Sequence, residues 1–324
     1  MNPLREVLCS RCGNPAAIYL RYARLNFCKE HFLDYILGRV ENTVRRYRMI
    51  RSGSRILAAI SGGKDSSTML LTLSKLTGKL DFDLVALHID LGIDGYSSEA
   101  RSIAEEVCRI TGVRYAILDL EDLVGLNIPE LSRKIRRPPC SVCGAVKRYL
   151  LNLAGVEVGV DTVALGHHLD DLAVYIVKNF LLQNLEDIRK LGPKTEGYDG
   201  FLVGRIRPLY EVYERDTALY ASFVGIPYQS MECPLHSMGV EDRIRTFLDG
   251  MEEDSPGFKI AFLRSIARSI PKYPQPQSEV RRCSLCGMPS QSGICSFCRM
   301  TMRALGKPLG LELRGKVREI VSKL

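Results

Sequence analysis

The stretch Ile56-Leu57-Ala58-Ala59-Ile60-Ser61-Gly62-Gly63-Lys64-Asp65-Ser66-Ser67 decides how the rest of this 324-residue chain is read. Its apolar run, Ile56 to Ile60, has the length of a buried strand. The run stops at Ser61-Gly62-Gly63, where two glycines permit backbone angles closed to other residues. Asp65, Ser66 and Ser67 then lead into Met69, Leu70, Leu71 and Leu73, which are spaced as a helix. A strand, a glycine-rich turn and a helix N-terminus make an anion site, because free N–H groups and the helix dipole point at the same bound phosphate. The order Gly-Lys-Asp excludes a Walker loop, in which Ser or Thr follows Gly-Lys directly.

Working outward, Phe32, Tyr35, Ile36, Val40 and Val44 predict an amphipathic helix within 32–50, leading into that strand. Downstream, 84–89 reads as a second buried strand ending in His88-Ile89-Asp90, 97–111 as a helix, and 115–118 as a third strand. A fourth, 162–165, ends in Gly166-His167-His168-Leu169-Asp170-Asp171, where a further helix opens with two carboxylates. Asp170 is read as a helix cap. Strands alternating with helices predict an α/β fold with a doubly wound parallel sheet. Ligands of such sheets sit at the carboxyl ends of strands, where both the glycine turn and His88 fall. Before the fourth strand comes Pro138-Pro139-Cys140-Ser141-Val142-Cys143-Gly144. The prolines are expected to block an early helix start and leave both cysteines on a loop, with Lys147 and Arg148 on the helix after it. Residues 172–270 read as mostly helical, broken by Gly192-Pro193, Pro208, Pro227 and Pro256-Gly257, and 271–280, rich in Pro and Gln, as a linker.

Hydrophobic residues make up 46% of the chain, enough for a real core, yet no apolar run approaches the ~18 residues of a membrane span. The N-terminus lacks the apolar core of a signal peptide, so a cytoplasmic protein is expected. The formal charge is +8, and its arginines and lysines cluster at 45–55, 133–137 and 303–323. Basic clusters beside the chemistry suit a polyanionic substrate.

Eleven cysteines without an export signal point to metal ligation rather than disulfides. Cys9-x-x-Cys12 with Cys28-x-x-His31 suits a tetrahedral structural zinc, and so does Cys283-x-x-Cys286 with Cys295-x-x-Cys298. Cys108 lies in an apolar helical pattern and reads as core. Cys140, Cys143 and Cys233 remain. Three thiolates can hold three irons of a [4Fe-4S] cluster and leave the fourth iron without a protein ligand. His236 could instead complete a third zinc site, or Cys143 and Cys233 could work without metal, one carrying a persulfide and the other resolving it. Spacing leaves all three open.

Ser61 to Ser66 resembles the PP-loop of ATP pyrophosphatases, which hold pyrophosphate and leave AMP on an acceptor oxygen. Together with Pro139 to Cys143, Gly166 to Asp171, Glu232-Cys233-Pro234 and the two knuckles, in this order, the chain is identified as a member of the TtcA/TtuA family of tRNA 2-thiolation enzymes, on the TtuA branch. The resemblance implies a tRNA sulfurtransferase that adenylates the C2 oxygen of uridine or ribothymidine 54 in the T-loop and replaces it with sulfur. Uridine 34 of the anticodon is the alternative target, and a non-catalytic zinc-ribbon RNA-binding protein the alternative class. It further implies ATP contacts at Ala59, Ser61, Gly62, Gly63, Lys64, Asp65, Ser66, Ser67, His88, Lys147, Gly166 and Asp171. Lys147 and Asp171 match catalytic positions, and a [4Fe-4S] cluster is expected on Cys140, Cys143 and Cys233. Mg²⁺ is expected on Asp65 or Asp171, the sulfur donor is a ubiquitin-like thiocarboxylate protein, and the assembly is a homodimer. Residues 1–34 are then an N-terminal zinc knuckle, 35–270 the PP-loop catalytic domain, and 271–324 a C-terminal zinc knuckle with a basic tail. His168 departs from relatives that carry Asn there.

Overall fold

The computed structural model describes residues 7–198, 200–236, 238–275 and 279–324. A hairpin of β1 (Ile18–Leu20) and β2 (Leu25–Phe27) precedes α1 (Lys29–Arg46), which buries Phe32, Ile36, Val40 and Val44 on one side as its spacing predicts. Then follow β3 (Ser54–Ala59), α2 (Lys64–Leu80), β4 (Phe82–Asp90), α3 (Tyr96–Thr111) and β5 (Arg114–Asp119). Next come α4 (Leu120–Val124), α5 (Ile128–Ile135), α6 (Pro139–Val158), β6 (Thr162–Ala164), α7 (Leu169–Leu181), α8 (Leu185–Ile188), β7 (Lys194–Thr195) and β8 (Gly204–Ile206). The chain ends with α9 (Glu214–Val224), α10 (Val240–Asp254), α11 (Phe258–Ser269), β9 (Arg281–Arg282), β10 (Pro289–Ser290), α12 (Ser296–Leu305) and α13 (Gly310–Val321).

The central sheet has the order β5-β4-β3-β6-β8-β7. The chain steps outward from β3 to β5, then returns to β6 on the other side of β3. The carboxyl end of β3 is therefore the point where the connections part and a ligand cleft opens. β3, β4, β5, β6 and β8 are parallel; β7 is antiparallel at the edge, so the sheet is mixed rather than wholly parallel. β7 and β8 also interrupt the stretch expected to be mostly helical. Each is two or three residues long, too short for an alternating pattern to register.

A second difference concerns the cysteine pair. α6 begins at Pro139, so Cys140 and Cys143 lie on its first turns and not on a loop. Proline at the first helical position lacks only an N–H that has no intrahelical partner there, and its fixed φ suits the helix.

Alternate strand residues face opposite sides. Ile56, Ala58, Leu84 and Ala86 enter a core with α1, α2, α7 and α9, whereas Leu57, Val85, Leu87 and Val163 enter a second core with α6, α12 and α13. Each cysteine knuckle extends one of these cores: Cys9, Leu20, Phe27 and Cys28 the first, Cys283, Met288, Phe297 and Cys298 the second. The basic tail is docked, since Arg314 and Arg318 of α13 clasp the buried Glu157 of α6 at 2.5 and 2.6 Å. The expected linker 271–280 includes 276–278, which lie outside the described residues. Among the described residues no helix is long and apolar enough to cross a membrane.

Candidate active site

The glycine turn closes on itself through its hydroxyls. Ser61 N–H donates to Ser66 Oγ at 3.1 Å, the two hydroxyl oxygens lie 3.1 Å apart, and Ser66 Oγ donates to Gly63 O at 2.9 Å. Gly62 has φ +84°, and a Cβ there would meet Ala100 O at 2.6 Å, so only glycine fits both the angle and the space. α2 starts after Gly63 with no side-chain cap, which leaves its first-turn N–H groups to an anion. Gly166 brings the loop after β6 against this turn: a Cβ there would lie 3.1 Å from Ser66 N. Ser67 is fully buried, and its hydroxyl has no partner among the described residues.

His88, at the carboxyl end of β4, is buried. Its Nδ1 lies 2.9 Å from Ile60 O, so Nδ1 carries the proton and Nε2 is left as a buried acceptor without a partner. Burial holds its pKa below the ordinary histidine value, so the ring is neutral. His168 caps α7, accepting Asp171 N–H on Nδ1 at 3.4 Å. Its Nε2 faces Asp171 at 3.3 Å, Asp65 at 3.8 Å and Glu214 at 3.9 Å. Two cations balance these carboxylates. Lys64 reaches Glu214 at 2.9 Å and Asp65 at 3.2 Å, and Arg245 reaches Asp171 at 2.7 Å and Glu214 at 2.8 Å. Burial would raise the Glu214 carboxyl, but Lys64, His168 and Arg245 hold it below its usual value. Asp170 lies on the other ring nitrogen of His168, 3.7 Å from Nδ1. It accepts Glu214 N–H at 2.7 Å and pairs with the buried Lys259 at 2.5 Å, so its cap reading gives way to a tie between α7, α9 and α11.

The segment carrying Cys233 is tethered to the same turn. Gln229 N–H donates to Gly62 O at 2.9 Å, and its side-chain amide donates to Tyr96 O at 2.9 Å. Cys140 Sγ lies 3.7 Å from Leu235 O, joining the first turn of α6 to the far side of that segment. Burial raises the Cys143 thiol, Lys147 counteracts this through its charge and a hydrogen bond, and Cys233 and Cys140 add their own charge. Lys147 also acts on His88, and Tyr96 feels both Cys233 and Cys143. The three cysteines, Lys147 and the glycine turn therefore share one cleft. His236 does not join them: it is half exposed and its Nε2 faces Asp242 at 3.7 Å.

The knuckles have a different geometry. A single ion with ~2.3 Å bonds to sulfur and ~2.0 Å bonds to nitrogen puts tetrahedral S···S edges near 3.8 Å and S···N edges near 3.5 Å. Cys12–Cys28 is 3.8 Å, Cys286–Cys295 is 3.7 Å, and His31 Nδ1 lies 3.6 Å from Cys9 and 3.3 Å from Cys28. In each knuckle all four ligand atoms lie within 4.8 Å of one another; among the described residues no other His, Cys, Asp or Glu group meets that condition. Hydrogen bonds from Cys295 and Cys298 hold the Cys286 thiol far below its usual range.

The basic clusters separate on inspection. Arg45, Arg46, Arg51 and Arg55 are matched by Glu41, Glu211, Asp161 and Asp83. Arg133, Lys134, Arg136 and Arg137, just before the cysteine pair, have no carboxylate partner among the described residues. Glu214, Arg245, Gln229 and Tyr96 carry no local sequence signal, because each reaches the site from a distant element.

Residues 8–33 match the family model described as 2-thiouridine synthetase TtuA, N-terminal LIM domain, and 36–248 match the PP-loop domain model. The chain is 37% identical over 294 residues to the tRNA-5-methyluridine(54) 2-sulfurtransferase of Pyrococcus horikoshii, covering 90% of this chain and 92% of that one. It is 36% identical over 297 residues to the enzyme of the same name from Thermus thermophilus, covering 91% of each. The U34-tRNA thiolase NcsA from Methanococcus maripaludis, solved with its [4Fe-4S] cluster, superimposes with a TM-score of 0.77 at 26% identity, covering 91% of this chain and 95% of that one.

Proposed function

The chain belongs to the TtuA-type tRNA-5-methyluridine(54) 2-sulfurtransferase family of PP-loop enzymes, and we propose that it replaces the C2 oxygen of uridine or 5-methyluridine 54 in tRNA with sulfur, using ATP. The observation that carries this reading is the Gln229–Gly62 hydrogen bond, which ties the Cys233 segment to the pyrophosphate-binding turn.

Uridine C2 is an amide-like carbonyl whose oxygen leaves poorly. In the reaction that oxygen attacks the α-phosphorus of ATP, the Pα–O bond to pyrophosphate breaks, and the oxygen becomes part of an AMP ester. Sulfur delivered as sulfide then adds to C2, the C2–O bond breaks, and AMP departs with the original oxygen. The free N–H groups at the start of α2 and the Ser61 and Ser66 hydroxyls face the pyrophosphate as its charge grows. Lys147, which hydrogen-bonds the Cys143 thiol, would reach the phosphates, and the free His88 Nε2 would accept a hydrogen bond from the nucleotide.

Asp65 and Asp171, on either side of His168, are carboxylate donors of the kind Mg²⁺ prefers, and there the ion would neutralise phosphate charge. Cys140, Cys143 and Cys233 fit a [4Fe-4S] cluster, whose ligands attach to separate irons and so stand wider apart than those on one ion. Bound there, the cluster supplies one iron with an open position for sulfur. Both knuckles fit zinc by donor set and edge length. A ubiquitin-like thiocarboxylate protein as donor, a homodimeric assembly and a cytoplasmic setting complete the reading.

The test is reaction of the anaerobically prepared protein with ATP, sulfide and unmodified tRNA, followed by nucleoside mapping. Sulfur at position 54 with stoichiometric AMP and pyrophosphate is expected. Sulfur at position 34, the target named for NcsA, or ADP as product would overturn it.

A further inference from the structure

A second cationic pocket lies between α6, β8 and the start of α12. It has a volume of about 170 Å³ and is lined by Arg148, Tyr149, Asn152, Arg205, Ser296 and Phe297, with no carboxylate in its wall. Arg148 extends from α6 and Arg205 from β8. Neither guanidinium has a hydrogen bond or ion pair among the described residues. Arg205 is half-buried and Arg148 exposed. By contrast, the half-buried Arg245 meets Asp171 and Glu214, Arg264 meets Glu211 and Arg314 meets Glu157. Burial, followed by the charge of Arg148, holds Arg205 below the usual arginine pKa, the signature of a cation without a counter-charge. Leaving the half-buried Arg205 guanidinium unpaired beside a second positive charge costs stability unless an anion enters.

We infer that Arg148 and Arg205 form a subsite for a backbone phosphate of the RNA substrate, at the seam between α6 and the C-terminal knuckle. The 170 Å³ accommodates a phosphate group. Guanidinium forks are the donors best matched to phosphate oxygens. α12 begins at Ser296 in the pocket wall and adds the positive end of a ten-residue helix. Gly144 sets the distance to the chemistry. A Cβ there would lie 3.1 Å from Arg148 Nη1, so the guanidinium folds back over Gly144, one helical turn from Cys140. A nucleotide with its base in the cleft between Cys143 and the PP-loop thus has this pocket within reach of a neighbouring phosphate. The C-terminal knuckle, in this view, supplies a wall of the RNA-binding surface as well as structural support.

The inference rests on the tRNA reading, and the experiment separates the two. Affinity for substrate tRNA is measured between 50 and 200 mM salt for the metal-loaded wild type, Arg148→Gln and Arg205→Gln. Each variant is expected to weaken binding about tenfold and to reduce the slope of log K against log salt by about one. The thermal midpoint without RNA is expected to stay unchanged or rise, because an uncompensated charge has been removed, and zinc content is expected to hold. Wild-type affinity and slope in both variants would overturn the subsite while leaving position-54 thiolation standing. So would loss of zinc or a lowered midpoint at unchanged tRNA affinity, which would make the arginines counter-ions of the zinc thiolates. Failure of the wild type itself to bind tRNA would count against the reading of the whole enzyme. Normal tRNA binding with lost response to a sulfur-carrier protein would assign the pocket to a protein carboxylate and overturn the phosphate.

Discussion

The two end knuckles and the Cys140–Cys143–Cys233 trio are built from the same thiols to opposite ends. Each knuckle draws its ligands from one short stretch and gathers them within 4.8 Å; the C-terminal one buries all four, the N-terminal one Cys9 and Cys28. The trio combines a helix start with a segment about ninety residues away, leaves Cys140 exposed, and does not converge as the knuckles do. A closed four-ligand shell fixes structure; a three-ligand set at the edge of a cleft leaves room for chemistry. The core assignments agree with this. Each knuckle puts buried cysteines into the hydrophobic core on one face of the sheet, whereas Cys143 and Cys233 only pack, partly buried, against the second core and Cys140 is exposed.

Four measurements bear on that contrast. The largest expected effect is on catalysis: Cys233→Ala, and equally Cys140→Ala or Cys143→Ala, should lower thiolation by at least about a thousandfold, roughly 4 kcal/mol of barrier, with the thermal midpoint almost unmoved. A melting shift as large as a knuckle variant's would erase the distinction. Cys286→Ser should do the reverse, losing one equivalent of zinc by metal analysis and destabilising the chain by several kcal/mol, since structural zinc binding is folding free energy.

Gly310→Ala probes how tightly the C-terminal knuckle is seated. Its Cβ would meet Cys298 Sγ at 2.6 Å, Cys286 Cβ at 2.7 Å and Tyr149 Oη at 2.9 Å, so a loss of about 1–3 kcal/mol and faster zinc release to a chelator are expected. Retention of zinc at the wild-type rate would show that the knuckle relaxes freely. The smallest effect is a pH dependence at the N-terminal knuckle. Asp216 of α9 accepts a hydrogen bond from Tyr22, its other oxygen has no partner among the described residues, and burial pushes its pKa up from 3.8 to about 6. An acid raised in the folded state contributes stability that is complete below its unfolded pKa and is lost as pH rises through the folded one. Asp216→Asn should therefore be more stable than wild type at pH 7.5, by on the order of 2 kcal/mol, and the difference should close by pH 4 in paired denaturant titrations. A difference independent of pH would show that Asp216 is already ionised in the folded protein.

Legibility followed the locality of the signal. The PP-loop was readable because strand, turn and helix start are contiguous. The knuckles were readable because their ligands come in pairs two residues apart. Local rules also misled. Pro138-Pro139 looked like a helix block, but Pro139 occupies the first helical position of α6 and puts Cys140 next to it on the first turn. Asp170 looked like a cap, whereas His168 caps α7 and Asp170 pairs with Lys259 from α11. β8 was hidden by its three residues, and with it Arg205.

The sequence alone determined the glycine turn, the alternation of strands and helices, and the two four-ligand knuckles, because each depends on neighbours within about twenty residues. Only the tertiary structure decided which distant groups meet. It set Gln229 against Gly62, Arg245 and Glu214 around Asp171, and Arg148 beside Arg205. Such meetings depend on how helices pack on the two faces of one sheet, and no spacing along the chain records that.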